Sequence, residues 1–226
     1  MHQIIQRAKE EKRSLLETEA KKLLKEYNIP VPDFKLIQSE EEVTGLAKEM
    51  TFPVAMKIVS PEIIHKSDAG GVKLGIKDEK EARLAYQEII RNIKKYNQEA
   101  RVKGVIVYPM LPKEVEVIVG MINDPHFGPV AMFGLGGIFV EVLEDVSFRI
   151  IPLEEEDAEE MIREIKGYKI LKGIRGEPPR DVPAIKEVLL KVSKLAMENP
   201  EIKEIDLNPI FVFEQGLQVI DARMML

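Results

Sequence analysis

Cysteine is absent from the 226 residues, which excludes a disulfide framework, a thiolate metal site and a cysteine nucleophile. Long apolar runs are missing too. None approaches the roughly 20 residues a helix needs to span a bilayer, so no membrane association is expected. The opening MHQIIQRAKEEKRS is too charged for a secretory leader, and the expected compartment is the cytoplasm. There is no positive excess: a net charge of -6, spread along the chain, argues against a nucleic-acid partner. Internal repeats and low-complexity tracts are lacking. Histidine is scarce, with three in all, so each is weighed as a candidate. What is present is an ordinary 45% of hydrophobic residues and a high 32% of charged ones, enough for one large domain or two packed lobes. Abundant Lys, Glu and Ile with few amides fits a thermophile source.

The most informative stretch is PVAMKIVSPEIIHKSDAGGVKLGI, residues 53–76. An apolar strand, 54–58, ends with Lys57 near its tip. A polar loop follows, carrying His65, Lys66, Ser67 and Asp68 and closing on Gly70-Gly71. A second strand covers 72–76. A glycine pair lets backbone N–H groups turn toward an anion, and Lys57 would add a fixed positive charge. A neutral imidazole on such a loop is nucleophilic near pH 7. On this stretch alone, a lysine-rich surface hairpin is an equal reading.

In chain order, residues 4–27 read as one helix with Leu15, Leu16, Leu23 and Leu24 on a face, broken by Pro30 and Pro32. A short strand spans 34–37. Ser39 with Glu42 is a capping signature for a helix running to Met50. Ser60-Pro61-Glu62 has the composition to open a brief helical turn before His65. Residues 78–96 read as a helix, and 103–108 as a strand buried on both faces. Charge alternation marks 114–121 as a half-buried strand, with further strands at 129–133, 138–143 and 146–151. Gly134-Leu135-Gly136-Gly137 reads as a tight strand connection. An acidic first turn starts a helix over 154–165, a long basic loop with Lys172 and Arg175 covers 166–180, and a helix covers 182–197. Strands at 201–207, 210–213 and 217–222 close the chain. This is an α+β organisation of two lobes with a seam near 107–112.

The last hairpin, EIDLNPIFVFEQGLQVIDARMML, carries the oxygen donors Asp206, Asn208 and Asp221. A turn near Gln215-Gly216 would bring Asn208 beside Asp221. One amide and one carboxylate suit Mg²⁺, which takes few protein ligands and fills its shell from phosphates and water. The competing reading is that Asp206 and Asn208-Pro209 cap a strand end. His126, in NDPHFGP, reads as a turn residue. His2 reads as part of a frayed start.

MKIVSPEIIHKSDAGGVKLGI, FGLGGIFVEVLEDVSFRI and EIDLNPIFV together resemble the nucleotide-binding β subunit of ADP-forming acetyl-CoA (acyl-CoA) synthetases, relatives of succinyl-CoA synthetase with an ATP-grasp fold. The resemblance covers essentially the whole chain. It implies two α/β lobes with the nucleotide between them, residues 1–107 forming the first with the His65 loop and 108–226 the second with the metal-binding hairpin. It implies conversion of acyl-CoA, ADP and phosphate into acid, CoA and ATP, with Mg²⁺ as cofactor and ADP/ATP as substrate. His65 would be a phosphohistidine and Asp206 an acidic residue close to it. Lys57, Gly70, Gly71 and Arg149 would meet phosphates, Val107, Pro109 and Met110 the adenine edge, and Glu116 the ribose. Asn208 and Asp221 would hold the metal. A separate CoA-binding α subunit is implied, in an α2β2 heteromer. The alternative function is a non-catalytic nucleotide-sensing module of a larger acyl-transfer protein. Such a sensor would be expected to lack the histidine or a metal ligand, and this chain has both.

Overall fold

The computed structural model describes residues 2–137, 140, 144–174 and 176–226. Contacts divide the chain into two units: Met1–Val31 with Lys113–Leu226, and Pro32–Pro112. This differs from the expected split at residue 107. The first 31 residues return to the C-terminal unit because their apolar faces need its sheet: Ile5, Leu15, Leu23 and Leu24 lie in the same core as Leu207, Val219 and Met224. The boundary after Pro112 follows the proline-bounded connector rather than the strand before it.

The Pro32–Pro112 unit is a four-stranded antiparallel sheet in the order β1-β4-β2-β3, formed by β1 (Lys35–Ile37), β4 (Gly104–Pro109), β2 (Val54–Val59) and β3 (Val72–Ile76). A long helix, here α4 (Glu79–Tyr96), covers one face with Ala82, Ala85, Ile89 and Ile93, spaced as one helical stripe against Val54, Met56 and Ile58. The Asp78 carboxylate caps it by accepting from Glu81 N at 2.8 Å. The helix expected from Ser39 to Met50 is broken. Glu42 accepts from Gln38 N instead (3.1 Å), and Gly45 at φ +93° separates a 3-10 turn, Glu41–Val43, from a four-residue α3 (Leu46–Glu49). Ser60-Pro61-Glu62 forms a turn, not a helix.

The other unit holds a six-stranded antiparallel sheet, ordered β10 (Ala222–Met225), β8 (Glu204–Val212), β5 (Val115–Asp124), β6 (Gly128–Leu135), β7 (Val146–Ile150), with β9 (Leu217–Val219) also on β8. Its inner face, with Val117, Val119, Ala131, Phe133, Ile205 and Leu207, packs on α5 (Glu155–Glu164) and α7 (Val182–Glu198). The loop between these helices carries a short α6 (Tyr168–Leu171). It is pinned by the buried Asp145 carboxylate, which accepts from Lys166 N and Gly167 N, both at 2.7 Å.

The single helix expected over 4–27 is two, α1 (Gln3–Glu10) and α2 (Glu17–Glu26). Lys12 takes φ +49°, Leu15 N bonds to Met224 O on β10 (3.1 Å), and Glu19 restarts the helix by accepting from Leu16 N (2.9 Å). Arg13 locks the elbow through Glu11 (2.7 Å) and Glu19 (2.6 Å). His2 is not frayed: its Nδ1 accepts from Ile4 N (3.2 Å) and its Nε2 lies 2.7 Å from Glu26. Arg175 and all of the expected strand 138–143 except Val140, Glu141 included, lie outside the described residues.

Candidate functional site

Lys57 sits in the middle of β2, whose six residues are all buried. It is opposite Val72 on β3 and Ile106 on β4. Period-2 alternation puts it on the face opposite Met56 and Ile58, away from α4. Only 8% of Lys57 is exposed, and its ammonium lies 5.3 Å from the centre of the Tyr108 ring, a cation-π contact. Tyr108 was missed from the sequence. The signal was available in the strand period, which sets 55, 57, 106 and 108 on one face.

The His65 loop runs from Ser60 to Gly71. Ile63 and Ala69 are buried and anchor its two ends, leaving Ile64, His65, Ser67 and Asp68 exposed between them. Glu62 ties the entrance down, accepting from Arg101 N (2.9 Å) and Arg101 Nε (2.7 Å). The glycine pair does different work from that expected. Gly70 N donates to Ser67 O (2.9 Å) and Gly71 N to Lys66 O (2.7 Å), so both N–H groups are engaged inside the loop and do not point at an anion. Gly70 has φ +64°, and a Cβ there would lie 2.8 Å from Asn92 Nδ2, while one at Gly71 would lie 2.5 Å from Ile58 Cγ2. Asn92 Nδ2 also donates to Gly70 O (3.1 Å). The glycines close the loop tightly onto β2 and α4.

Val107 is paired with Lys35 on one side and Met56 on the other, and its side chain is fully buried, which leaves its backbone as the part available to an adenine edge. Pro109 ends β4 opposite Val54. Met110 follows, half exposed, with its N donating to Pro53 O and its Sδ accepting from Gly75 N, each at 2.8 Å.

In the other unit the oxygen donors come together. Proline has no N–H and is confined in sheets to edges or bulges. Asn208-Pro209 nevertheless lies inside the central strand β8, and the register shows how. Val117 pairs with Ile210 and Val119 with Leu207, so two β8 residues bulge opposite one on β5. The two strands expected at 201–207 and 210–213 are one strand with this bulge. Here β8 also changes partner, from β10 (204–207) to β9 (210–212). Asn208 N donates to Asp221 O at 3.2 Å, so the pairing of these two residues across the closing hairpin is observed. A bulge of this kind re-aims a side chain, and Asn208 is exposed.

Asp206 faces the same way, beside Arg223 on β10 and Gly120 on β5. Burial, then the negative charges of Asp221 and Glu204, push its carboxyl above the ordinary carboxylate range, against a smaller lowering by Arg223. Like-charged carboxylates gathered this way favour a cation. Among the described residues no group of three or more His, Cys, Asp or Glu could enclose a metal unaided. An amide and a carboxylate fit a hard ion such as Mg²⁺ that keeps water and phosphate oxygens in the rest of its shell.

Glu116, on β5, is partly exposed, with Lys113 Nζ 3.5 Å from its carboxylate. Gly136 N donates to Glu116 O (2.7 Å), and a Cβ on Gly136 would lie 2.8 Å from Glu116 Cβ, so the glycine run is a close backbone approach. Arg149 points elsewhere than at a phosphate: it bonds Glu164 (2.9 Å) and Glu160 (3.4 Å) on α5, and these partners raise its pKa. His126 is a turn residue, its N bound to the Asp124 carboxylate at 2.8 Å.

A family model described as ATP-grasp domain matches residues 6–226. The β subunit of acetate–CoA ligase [ADP-forming] I from Pyrococcus furiosus is 58% identical over 99% of this chain and 97% of its own length. The chain belongs to the ADP-forming acetate–CoA ligase β-subunit family. The expected ATP-grasp fold and acid–CoA ligase class are therefore correct for this β subunit. Single-chain relatives exist: acetate–CoA ligase [ADP-forming] I of Archaeoglobus fulgidus is 45% identical over 99% of this chain but only 33% of its own length. Acetyl-coenzyme A synthetase 1 of Ca. Korarchaeum cryptofilum, solved with coenzyme A, Ca-AMPCP and HgCl⁺, superposes with a TM-score of 0.95 at 49% identity, covering 98% of this chain and 97% of that one. A second structure of that enzyme, with coenzyme A and Mg-AMPPCP, has its phosphohistidine segment pointing towards the nucleotide binding site; its TM-score is 0.86 at 47% identity, covering 99% of this chain and 98% of that one. Among the described residues of this β subunit no helix is long and apolar enough to cross a membrane.

Proposed function

We propose that this β subunit binds Mg-ADP or Mg-ATP and passes a phosphoryl group through His65 between a phosphohistidine on a CoA-binding α subunit and ADP, within an α2β2 assembly. In the ATP-forming direction, a neutral His65 ring nitrogen attacks the phosphorus of the partner's phosphohistidine, the partner's P–N bond breaks, and that imidazole leaves. A terminal β-phosphate oxygen of ADP then attacks the phosphorus on His65, giving ATP and freeing the imidazole. The net reaction is acyl-CoA, ADP and phosphate to acid, CoA and ATP.

One observation carries the reading. His65 is exposed at the crest of a loop clamped at both ends by buried side chains, a position that presents a nucleophile to two successive partners without costly disorder. Phosphoryl transfer needs alignment and charge neutralisation rather than covalent help. Lys57 supplies the positive charge, and Asn208 with Asp221 would hold the metal, whose chemistry is to draw charge from the phosphate oxygens. Asp206 is proposed as the acidic neighbour of the phosphorylated histidine, Glu116 as the ribose contact, and Pro109 and Met110 as adenine contacts. Gly70 and Gly71 support this site by shaping the loop.

His65→Asn tests it. The variant should bind Mg-ADP with wild-type affinity, form no acid-labile, base-stable phosphohistidine, and lose at least about 100-fold in turnover, a barrier increase of about 2.7 kcal/mol. Retention of more than about a tenth of wild-type turnover would falsify the covalent role. The non-catalytic sensor reading has no observation in its favour, since the histidine and the Asn208–Asp221 pair are both present.

A further inference from the structure

The outer face of the six-stranded sheet carries an apolar field that nucleotide chemistry does not use. Register builds it row by row. Ile122 lies across from Val130, and Val130 from Ile150; Gly120 lies across from Met132, and Met132 from Phe148. These side chains face away from α5 and α7, whose core takes Met121, Ala131 and Phe133 instead. Ile122 is 50% exposed, Phe148 49% and Ile150 54%, and Phe127 at the adjoining turn is also exposed. Single exposed apolar residues are unremarkable, but a contiguous field of them marks an interaction surface.

The same rows continue to the candidate metal hairpin, for Glu204 pairs with Ile122 and Asp206 with Gly120. The apolar field and the acidic residues are one surface. We infer that this face, centred on Met132, Phe148 and Ile150, is the docking surface for the CoA-binding partner subunit. This inference rests on the proposed two-subunit function and adds the place of contact.

Two arguments select that occupant. The Archaeoglobus fulgidus relative holds the equivalent of this chain in only 33% of a single polypeptide, so the other two-thirds of such an enzyme must seat somewhere on this domain. In a relative the phosphohistidine segment points towards the nucleotide binding site, and a partner seated on this field, which borders the oxygen donors, has a short reach to them. A second copy of this chain would cover the approach to Asp206 and Asn208 and bring no CoA-binding part. Glu204 and Asp124 make the border acidic, so the complementary surface is apolar at its centre and cationic at that edge.

The experiment titrates the purified partner subunit into the full chain and into Phe148→Glu and Ile150→Glu, with Leu84→Glu, an exposed apolar position on α4, as control. Mg-ADP affinity and thermal midpoint of each chain alone report its integrity. We expect at least 100-fold weaker partner binding in both β7 variants, with wild-type nucleotide affinity and an unchanged control. Equal partner affinity in a folded Phe148→Glu or Ile150→Glu variant overturns the assignment. So does self-association of this chain alone that either variant abolishes, because the occupant is then a second copy. Should one variant lose nucleotide binding as well, the other decides. If the wild-type chain binds no such subunit, both the surface and the two-subunit function fall; if it binds and the variants bind equally, only the surface falls.

Discussion

Lys57 reaches its sheet face from a stretch of β2 that pairs regularly with β4 along its whole length, whereas Asn208 reaches its own face only where β8 bulges against β5. The difference lies in the side chains. A lysine carries its charge on a four-carbon stem, so the strand beneath it keeps its pairing and buries the stem. An amide or carboxylate on a short stem cannot extend, so the backbone must be bent to present it. The first solution is cheap in backbone and dear in desolvation, because a nearly buried ammonium must find compensation such as the Tyr108 ring. The second loses ladder pairing but keeps its polar groups near water.

Four substitutions sharpen that contrast, first at the residues proposed to meet the ligand and then in the frame around them. Replacing Lys57 with Met keeps the stem and deletes the charge. Calorimetric titration should show Mg-ADP affinity falling by about 10- to 100-fold, about 1.4 to 2.7 kcal/mol, while the thermal midpoint of the ligand-free chain holds or rises. A drop in that midpoint would mean that Lys57 is a structural cation.

Asp221→Asn should leave the fold intact and raise the Mg²⁺ concentration needed for half-maximal ADP binding by about tenfold, about 1.4 kcal/mol. Unchanged Mg²⁺ dependence would take Asp221 out of the metal shell. Gly71→Ala addresses the loop. Its Cβ meets Ile58 Cγ2 at 2.5 Å, and overpacking of this kind costs about 1 to 3 kcal/mol. Denaturant unfolding should show that loss, and the loss should be smaller in an Ile58→Leu background, where the Cγ2 methyl is gone; an equal loss would place the strain elsewhere.

The smallest effect belongs to Glu11. Arg13, and then Arg7, hold its carboxyl down to about 2 from 4.5. A depressed acid contributes stability that is complete above its unfolded value and is lost as pH falls through the folded one. Glu11→Gln should therefore narrow the stability gap between pH 5 and pH 2 slightly. An identical acid profile would show the ion pair to be inert, as exposed pairs often are.

These elements also mark what the sequence makes legible. The strand read at 54–58, the helix read at 78–96 and the Asn208–Asp221 pairing follow from local pattern, and the structure has them within a residue. Legibility fails where a distant partner decides. Nothing near Lys12 announces that Leu15 will bond to Met224, so one helix was expected where there are two. Asn208-Pro209 reads locally as a strand end, and only pairing with β5 turns it into a bulge. Gly70-Gly71 matches a phosphate-binding pattern, yet Asn92 and Ile58, distant in sequence, claim that space. Lys21 is fully buried at 0% exposure with Glu17 at 3.1 Å, although its lysine-rich helix suggests a solvated face. For the site, residue types were legible, while Tyr108 beneath Lys57 and the α5 carboxylates on Arg149 required the fold.

The return of residues 1–31 to the C-terminal unit has a consequence for biosynthesis. Residues 1–31 are made before the strands that bury Ile5, Leu23 and Leu24, so they wait for a sheet that is synthesised only after the whole Pro32–Pro112 unit. The Pro32–Pro112 unit has all its sheet partners within itself and is free to fold as soon as it emerges. While residues 113–225 are made, the nascent chain thus carries one unit with all its strands and an apolar segment, 1–31, still without its sheet. That interval is when shielding by a chaperone would matter most, and the charged residues interleaved along α1 and α2 favour solvation of the waiting segment until β8 and β10 are made.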